Sequence, residues 1–501
     1  MTAIYGYATR SALTARSLAD MRLQLDDLSR QLATGKKTDT FSGLGLDRGL
    51  SIEVRTRLSR MAAYENSIQT VDVRVNLMNT AIERIRVVGQ DMRSDTRTPV
   101  PYELAGDGHT TAQRSAVQRL DEVLSLLNGR AGERYLFSGS ATDSRSTDTA
   151  QRIMDGAGAR AGLKQVIDER LQADQGADGR GRLLAPAVAG SVVTLEEDAA
   201  HPFGFKLAGA STNFGATITP DAGPPPSLAI DLGATNPPEG GAVRVTLTLP
   251  DGTTKDIDFT ATTDNPLPAG TFAIGATPDD TAVNLAAALD SEVQRLAEVD
   301  LAAASAVRAA EDFFAIDTDN PPQRVDGPPF DTATALRDGT ADDTIFWYMG
   351  DAAVGDARDT AVARVDDEIT VAYGARANED GLRHIVQNVA LFASMTFSES
   401  DANARDRYYA LVGRVGDALD GATGTRSVEA LQTELAGAKL AAGAASERLG
   451  DKKPMMQGLL DDIENVMPEE VGAMLLAMNM RMQASLQTTA MLSQFTLLNF
   501  I

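Results

Sequence analysis

Apolar residues near the N-terminus recur at alternating intervals of three and four positions. The stripe consists of Ile4, Tyr7, Ser11, Thr14, Leu18, Met21, Leu25, Leu28 and Leu32. This heptad spacing is typical of a helix that lays one narrow face against another helix. The sequence "TGKK" at residues 34–37 then supplies a glycine and two lysines, which favour a helix end. The pattern therefore predicts a helix that ends near Thr34.

Two more helices are predicted in the N-terminal third. The first has a stripe formed by Met61, Tyr64, Ile68, Val71, Val75, Met78, Ile82 and Ile85. The prolines and glycines of residues 97–108 interrupt it. The second has Val117, Leu120, Leu124 and Leu127 on its inner face and ends at Asn128-Gly129.

The C-terminal third is also predicted to be helical. Residues 361–395 and 401–420 fit helices, and residues 428–466 fit one with an interruption near Pro454. A last helix starts at Pro468, a residue suited to the first turn. Its stripe is Val471, Leu475, Met478, Met482, Ser485, Thr489, Leu492 and Phe495. The sequence stays apolar beyond this stripe, through Leu498 to Ile501.

Residues 141–345 have a different pattern, rich in proline, glycine, threonine and aspartate. Apolar positions alternate from Val243 to Leu249 and again at Ile257 and Phe259, around a Pro-Asp-Gly turn, so they predict a β-hairpin. Thr277 followed by Pro278 predicts the start of a helix. We expect an acidic α+β insert here.

The narrow stripes at both ends of the chain need partner helices. Pairing the N- and C-terminal helices with each other predicts a mainly α fold: a long antiparallel coiled-coil-like bundle from both chain ends, with the α+β insert as an outer domain. The stripes alone fit an ordinary intramolecular bundle equally well. The predicted domains are 1–34 with 468–501 as a terminal segment, 35–140 with 346–467 as a rod, and 141–345 as the insert.

Charge and composition narrow the class of protein. The 501 residues carry a net charge of −24, which argues against nucleic acid or an anionic membrane as partner. Cysteine is absent, which excludes disulfides and thiolate chemistry. The first twenty residues lack the apolar core of a cleaved signal peptide, because Arg10 and Arg16 interrupt them. Export would then use a route that needs no such peptide.

Motifs for catalysis or metal binding are weak. His109, His201 and His384 are far apart, and we predict surface or helix-cap positions for them. "GLGLDRG" at residues 43–49 fails the dinucleotide pattern and is predicted to be a flexible joint. "DTDNPP" at residues 317–322 lacks the glycine and glutamate of a calcium loop. We predict no cofactor, no metal site and no enzymatic activity.

Three stretches of sequence resemble the flagellin superfamily. After the third helix, "LLNGRAGERYLFSGSATD" resembles the family's helix end and following strand, through Asn128, Gly132, Tyr135, Leu136, Phe137 and Gly139. "LSRQLATGKK" at residues 28–37 resembles the end of the family's first helix, and "MQASLQTTAMLSQFTLLNFI" at residues 482–501 resembles its closing helix. The resemblance covers about 140 residues at each end of the chain.

Within this superfamily, the ending "LLNFI" is similar to the hook-associated protein 3 branch, the hook–filament junction proteins, with filament flagellin as the alternative. The resemblance implies an extracellular structural subunit of the bacterial flagellum, exported by the flagellar type III apparatus. It also implies a ring of subunits as partners, together with another hook-associated protein, flagellin and an export chaperone. The expected subunit-interface residues are Leu18, Met21, Leu25, Leu28, Leu32, Met482, Leu492, Phe495, Leu498 and Ile501.

A secreted enzyme on a helical stalk and a phage-tail or adhesin-like shaft are the rival classes. The enzyme would need a catalytic cluster in residues 141–345, and the sequence offers none there. A shaft protein would share the helical stripes but not the stretches that resemble flagellin.

Overall fold

A computed structural model describes residues 2–98, 102–316, 321–420 and 427–498. It is 54% helix and 16% strand, with several small sheets. The predicted mainly α class is therefore wrong, and the chain is a mixture of helices and sheets. Strands in the middle of the chain account for most of the difference.

The helices, in chain order, have the following bounds: α1 Thr2–Thr34, α2 Arg48–Arg97, α3 Thr111–Leu127, α4 Ala150–Asp155, α5 Leu163–Gln175, α6 Pro278–Leu296, α7 Ala302–Phe314, α8 Asp380–Ser394, α9 Ala404–Asp420, α10 Val428–Glu464 and α11 Pro468–Leu498. Short 3₁₀ helices cover Phe41–Asp47 and Ala357–Thr360, and a π-helical turn at Ala297–Leu301 joins α6 to α7.

The strands have the following bounds: β1 Arg130–Ala131, β2 Arg134–Tyr135, β3 Ala187–Ala189, β4 Val192–Glu196, β5 Lys206–Thr212, β6 Thr217–Asp221, β7 Ser227–Asp231, β8 Ala242–Thr248, β9 Thr254–Thr262, β10 Thr271–Ala273, β11 Gln323–Val325, β12 Leu336–Asp338, β13 Val362–Arg364 and β14 Thr370–Ala372. One four-stranded sheet has the order β10-β9-β8-β5 and another has β3-β4-β7-β6. The other strands form two-stranded pairs.

Several predicted elements are confirmed. The β8–β9 hairpin pairs Val245 with Ile257 and Val243 with Phe259. Helix α6 starts at Pro278 behind a capping box formed by Thr277 and Asp280. Helix α11 starts at Pro468 as predicted.

Two local predictions are wrong. Residues 361–379, predicted as helix, contain β13 and β14, and α8 begins only at Asp380. Helix α10 passes through Pro454 without ending. Pro454 is exposed, so water can hydrate the carbonyl that loses its amide donor there.

The chain divides into two compact units. Unit 1 comprises Met1–Thr70, Ala363–Val371 and Leu440–Ile501, and unit 2 comprises Val71–Val362 and Ala372–Lys439. This division follows internal contacts. The three domains predicted from the sequence were instead defined by the position that each would take in an assembly. Contacts within one chain do not test that definition, so these domains stay a prediction.

Unit 2 has a continuous hydrophobic core where the two four-stranded sheets and α6 meet. Val245, Ile230, Phe272 and Leu289 are all completely buried in it. Helix α7 is buried nearly all round, because alanines at six of its 13 positions allow close packing. It contacts α5, α8 and α9.

Unit 1 has only a small core, in which Val54 of α2 packs with Leu460 and Ile463 of α10. Helices α1 and α11 contact each other. From Ala12 to Thr34, however, α1 has no buried side chain, and of the side chains that the structure describes on α11 only Val471 is buried. A coiled coil buries its stripe residues in holes of the partner helix, so the predicted coiled-coil bundle is wrong as a description of the fold.

Candidate functional site

The interface residues predicted on α1 lie on the side of that helix that is least exposed. Leu18, Met21, Leu25 and Leu28 are half-buried, and Leu32 is 46% exposed. Four of the described stripe positions thus lie on the less exposed side of α1, but α11 alone does not cover them. Each of these side chains keeps apolar surface in contact with water.

On α11, only one predicted interface residue can be placed by its side chain. Met482 is half-buried. Leu492, Phe495, Leu498 and Ile501 lie outside the residues whose side chains the structure describes.

Further apolar side chains of the terminal helices were missed by the stripe analysis. They are exposed on both helices, and they are Leu13, Leu23, Met474, Leu476, Met480, Leu486 and Met491. We call this set, together with Leu18, Met21, Leu25, Leu28, Leu32 and Met482, the terminal apolar surface. The sequence does contain a signal for these side chains. Apolar residues surround α11 on all sides instead of forming one stripe, and this pattern indicates a helix that is covered on more than one face.

The terminal apolar surface is unusual for the molecule as a whole. Unit 1 supplies 17 of the 27 large apolar side chains that are exposed among the described residues, although it has 141 of the 501 residues. Its 15 lysines and arginines nearly balance its 17 aspartates and glutamates, while unit 2 carries 31 and 53. A nearly neutral, apolar surface of this kind is typical of a protein-interaction site.

The motif that resembles flagellin lies in unit 2 and begins with a helix cap. Asn128 follows α3, and its Nδ2 donates to Thr147 Oγ1 at 2.8 Å and to the Thr147 carbonyl at 3.2 Å. The Thr147 amide donates back to Asn128 Oδ1 at 3.0 Å. One side chain thus fixes the end of α3 to a segment 19 residues later in the sequence.

The next part of the motif is the β1–β2 hairpin. Gly132 is the first of its two turn residues and has φ of +66°, a value that favours glycine. Beside the turn, the Arg130 guanidinium lies 4.9 Å from the centre of the Tyr135 ring. The Leu136 amide then donates to the Gly129 carbonyl at 3.0 Å, which closes the turn onto the helix end.

The last part of the motif joins two distant parts of the chain. Phe137 is fully buried, and its carbonyl accepts from the Ala377 amide at 2.8 Å. The Gly139 amide donates to the Ala375 carbonyl at 3.1 Å. A Cβ on Gly139 would lie 3.2 Å from Asp351 Cβ, at a positive φ, so glycine is required here. These six motif residues therefore organise packing within unit 2 and do not form a reactive site.

The three histidines have structural roles. His109 lies beside Asp107, and His384 Nε2 lies 2.8 Å from the Ala418 carbonyl, which can accept a hydrogen bond from it. The His201 side chain is fully buried, so its predicted surface or cap position is wrong. Its Nε2 lies 2.6 Å from Asp198 Oδ1, while the Phe203 amide donates to its Nδ1 at 3.2 Å, and burial lowers its pKa.

Chemical sites are not evident in the part of the chain that the structure covers. No group of three or more histidines, aspartates or glutamates among the described residues could hold a metal ion. No described helix is both long and apolar enough to cross a membrane. Asp317–Asn320 of the weak calcium-like sequence lie outside the described residues.

Comparison with known proteins adds no relative. No protein-family model matches the sequence, and no curated protein is significantly similar to it.

Proposed function

We propose that the protein is a structural subunit of the bacterial flagellum, and specifically a junction protein of the hook-associated protein 3 type. The terminal apolar surface is the observation that carries this proposal. Leu13, Leu476 and Met480 are each more than 60% exposed. Covering such side chains with another subunit removes apolar surface from water and therefore favours association. The sequence resemblance at both chain ends supports this class of assembly.

In this function, the terminal apolar surface binds copies of the same chain, so that the subunits form a ring. The ring connects another hook-associated protein on the hook side to flagellin on the filament side. The chain would reach this place outside the cell through the flagellar type III apparatus, helped by an export chaperone. The acidic sheets of unit 2 would then face solvent. No chemical step is needed, so the protein would not be an enzyme.

Removing Met491–Ile501 tests the role of the terminal apolar surface. The truncated protein should keep the near-UV circular dichroism of the folded unit 2 but fail to join hooks or support filament growth. A matched control is the double substitution Val283→Ser and Val354→Ser, which removes exposed apolar side chains from unit 2 and should leave assembly unchanged. Normal filament growth with the truncated protein as the only copy would exclude the proposal.

Co-purification distinguishes the junction protein from filament flagellin. A junction protein is expected with isolated hooks, in a few copies for each hook. A flagellin would instead be the main component of the filament shaft and would form long filaments by itself.

A further inference from the structure

The loop that follows α1 and the loop that precedes α11 are joined by backbone hydrogen bonds within unit 1. We call the C-terminal end of α1 and the N-terminal end of α11 the bases of these helices. Lys36 pairs with Asn465 in an antiparallel bridge. The Lys37 amide donates to the Glu464 carbonyl at 2.8 Å, and the Val466 amide donates to the Gly35 carbonyl at 2.9 Å. We call residues 35–37 together with residues 464–466 the clasp. It connects positions more than 400 residues apart in the sequence.

The local sequence explains why the chain turns into the clasp. Gly35 has φ of +69° and ends α1, with its amide donating to the Gln31 carbonyl at 2.8 Å. Arg30 Nη2, four residues before the end of α1, donates to the Lys37 carbonyl at 3.2 Å. The Lys37 side chain reaches the end of α10, where Nζ donates to the Asp462 carbonyl at 2.6 Å. Side chains from the α1 end of the clasp therefore reinforce the backbone pairing.

The side chain of Glu464 attaches the clasp to α2. Arg55 Nε donates to Glu464 Oε1 at 2.7 Å, Arg55 Nη2 bonds the other carboxylate oxygen, and Ser51 Oγ donates to Oε1 at 2.6 Å. The Glu464 side chain is only 11% exposed and Ser51 is fully buried. The Arg55 side chain is 45% exposed, so solvent screens part of this ion pair, but its two-point geometry makes it more directional than a single-point contact.

Both terminal helices depend on this anchor. From Ala12 onwards α1 has no buried side chain, and the described part of α11 has only Val471, so the described parts of both helices have little packing to hold them in place. Two backbone hydrogen bonds join the bases of the two helices, and the Glu464 carboxylate joins the clasp to α2. If one half of the clasp opens, the other half loses both of these backbone hydrogen-bond partners.

We propose that the clasp couples α1 and α11 into one cooperative element, so that the two ends of the chain become ordered or disordered together, with Glu464 as the residue that maintains the coupling. This is a property of the free protein, so it does not depend on the flagellar assignment.

Hydrogen–deuterium exchange of the full-length monomer tests the coupling. Glu464→Gln keeps the size of the side chain but removes its charge, and we expect exchange to rise about tenfold in peptides from residues 12–34, the ratio given by a loss of about 1.4 kcal/mol. Glu447→Gln is the matched control, because it makes the same substitution on an exposed side chain of α10, outside the clasp. This control should leave exchange in α1 unchanged.

A second variant tests the coupling in the opposite direction. Lys37→Pro removes the amide that donates to Glu464, and exchange should rise in peptides from residues 468–482 of α11. Unchanged Trp347 fluorescence would show that unit 2 stays folded in both variants.

Faster exchange limited to the mutated loop, with the other terminal helix unaffected, would overturn the proposal. Complete exchange of α1 in the parent protein at the shortest time would also overturn it, because an open helix cannot be coupled. Neither result would affect the assembly test with the truncated protein, so the two proposals can fail separately.

Discussion

The two units of this molecule differ in where they place apolar and charged groups. Unit 2 buries aromatic residues such as Trp347, Phe313 and Phe392 and carries most of the negative charge. It also buries charges in pairs: Arg324 makes a two-point contact with Glu169, and Arg170 bonds Asp174 at 2.8 Å. Unit 1 is nearly neutral and exposes leucines and methionines.

This difference separates two sources of stability. Unit 2 has a large hydrophobic core, and its buried Arg170 and Arg324 are paired with carboxylates. Unit 1 leaves much of its apolar surface exposed, so part of its stability must come from whatever covers that surface. Substitutions of similar chemistry should therefore have very different effects in the two units.

The largest effect is expected from Trp347→Ala in unit 2. The indole is fully buried, donates through Nε1 to the Phe314 carbonyl at 3.0 Å and packs against the Phe314 ring. Loss of a buried tryptophan lowers the free energy of unfolding by about 3–5 kcal/mol. Urea unfolding followed by far-UV circular dichroism measures this change. Met349→Ala, two residues away and 47% exposed, should change the free energy by less than about 0.5 kcal/mol.

A smaller effect is expected from acid in unit 1. The hydrogen bonds from Arg55 lower the pKa of Glu464 to about 2, against a usual value of 4.5. The unfolded chain therefore binds this proton more readily, so the stabilising contribution of Glu464 is complete above pH 4.5 and is lost as the pH falls towards 2. The stability difference between the parent and Glu464→Gln should shrink over this range.

Urea midpoints at pH 5 and pH 3, compared between these two proteins, measure that loss. A difference that stays constant between the two pH values would contradict the prediction. Glu379 in unit 2 behaves in the opposite way to Glu464, because burial raises its pKa. Its contribution to the free energy of unfolding therefore becomes more favourable as the pH falls, whereas that of Glu464 is lost.

The smallest effect on the monomer is expected from Leu476→Ser in unit 1. This side chain is 67% exposed, so the free energy of unfolding should change by less than about 0.5 kcal/mol. The same substitution should nevertheless weaken assembly, since it removes apolar surface from the terminal apolar surface. A stability loss above about 2 kcal/mol, of the size expected for a buried leucine, would show that α11 has a core that we have not recognised.

Local sequence signals predicted many of the elements but not how they are combined. The start of α6 followed from Thr277 and Pro278, and the β8–β9 hairpin followed from alternation around Pro250-Asp251-Gly252. The strands β13 and β14 were missed, because each has only three residues and its pairing is set by the fold around it.

The candidate site was predictable to a similar degree. The spacing of Leu18, Met21, Leu25 and Leu28 identified one face of α1. The degree of burial could not be predicted, because it depends on how much of that face a helix more than 400 residues away covers. The contact of Glu464 with Arg55 has the same origin, since no local pattern relates two residues separated by 409 positions.

The cap at Asn128 has a consequence for the chemical lifetime of the protein. Asparagine followed by glycine ages by deamidation, in which the glycine nitrogen attacks the asparagine side chain to form a succinimide ring. Here the Asn128 amide is held by Thr147, and the Gly129 nitrogen donates to the Leu126 carbonyl at 3.0 Å. The folded protein thus restrains both reacting groups, and this bond is expected to age only in chains whose unit 2 has unfolded.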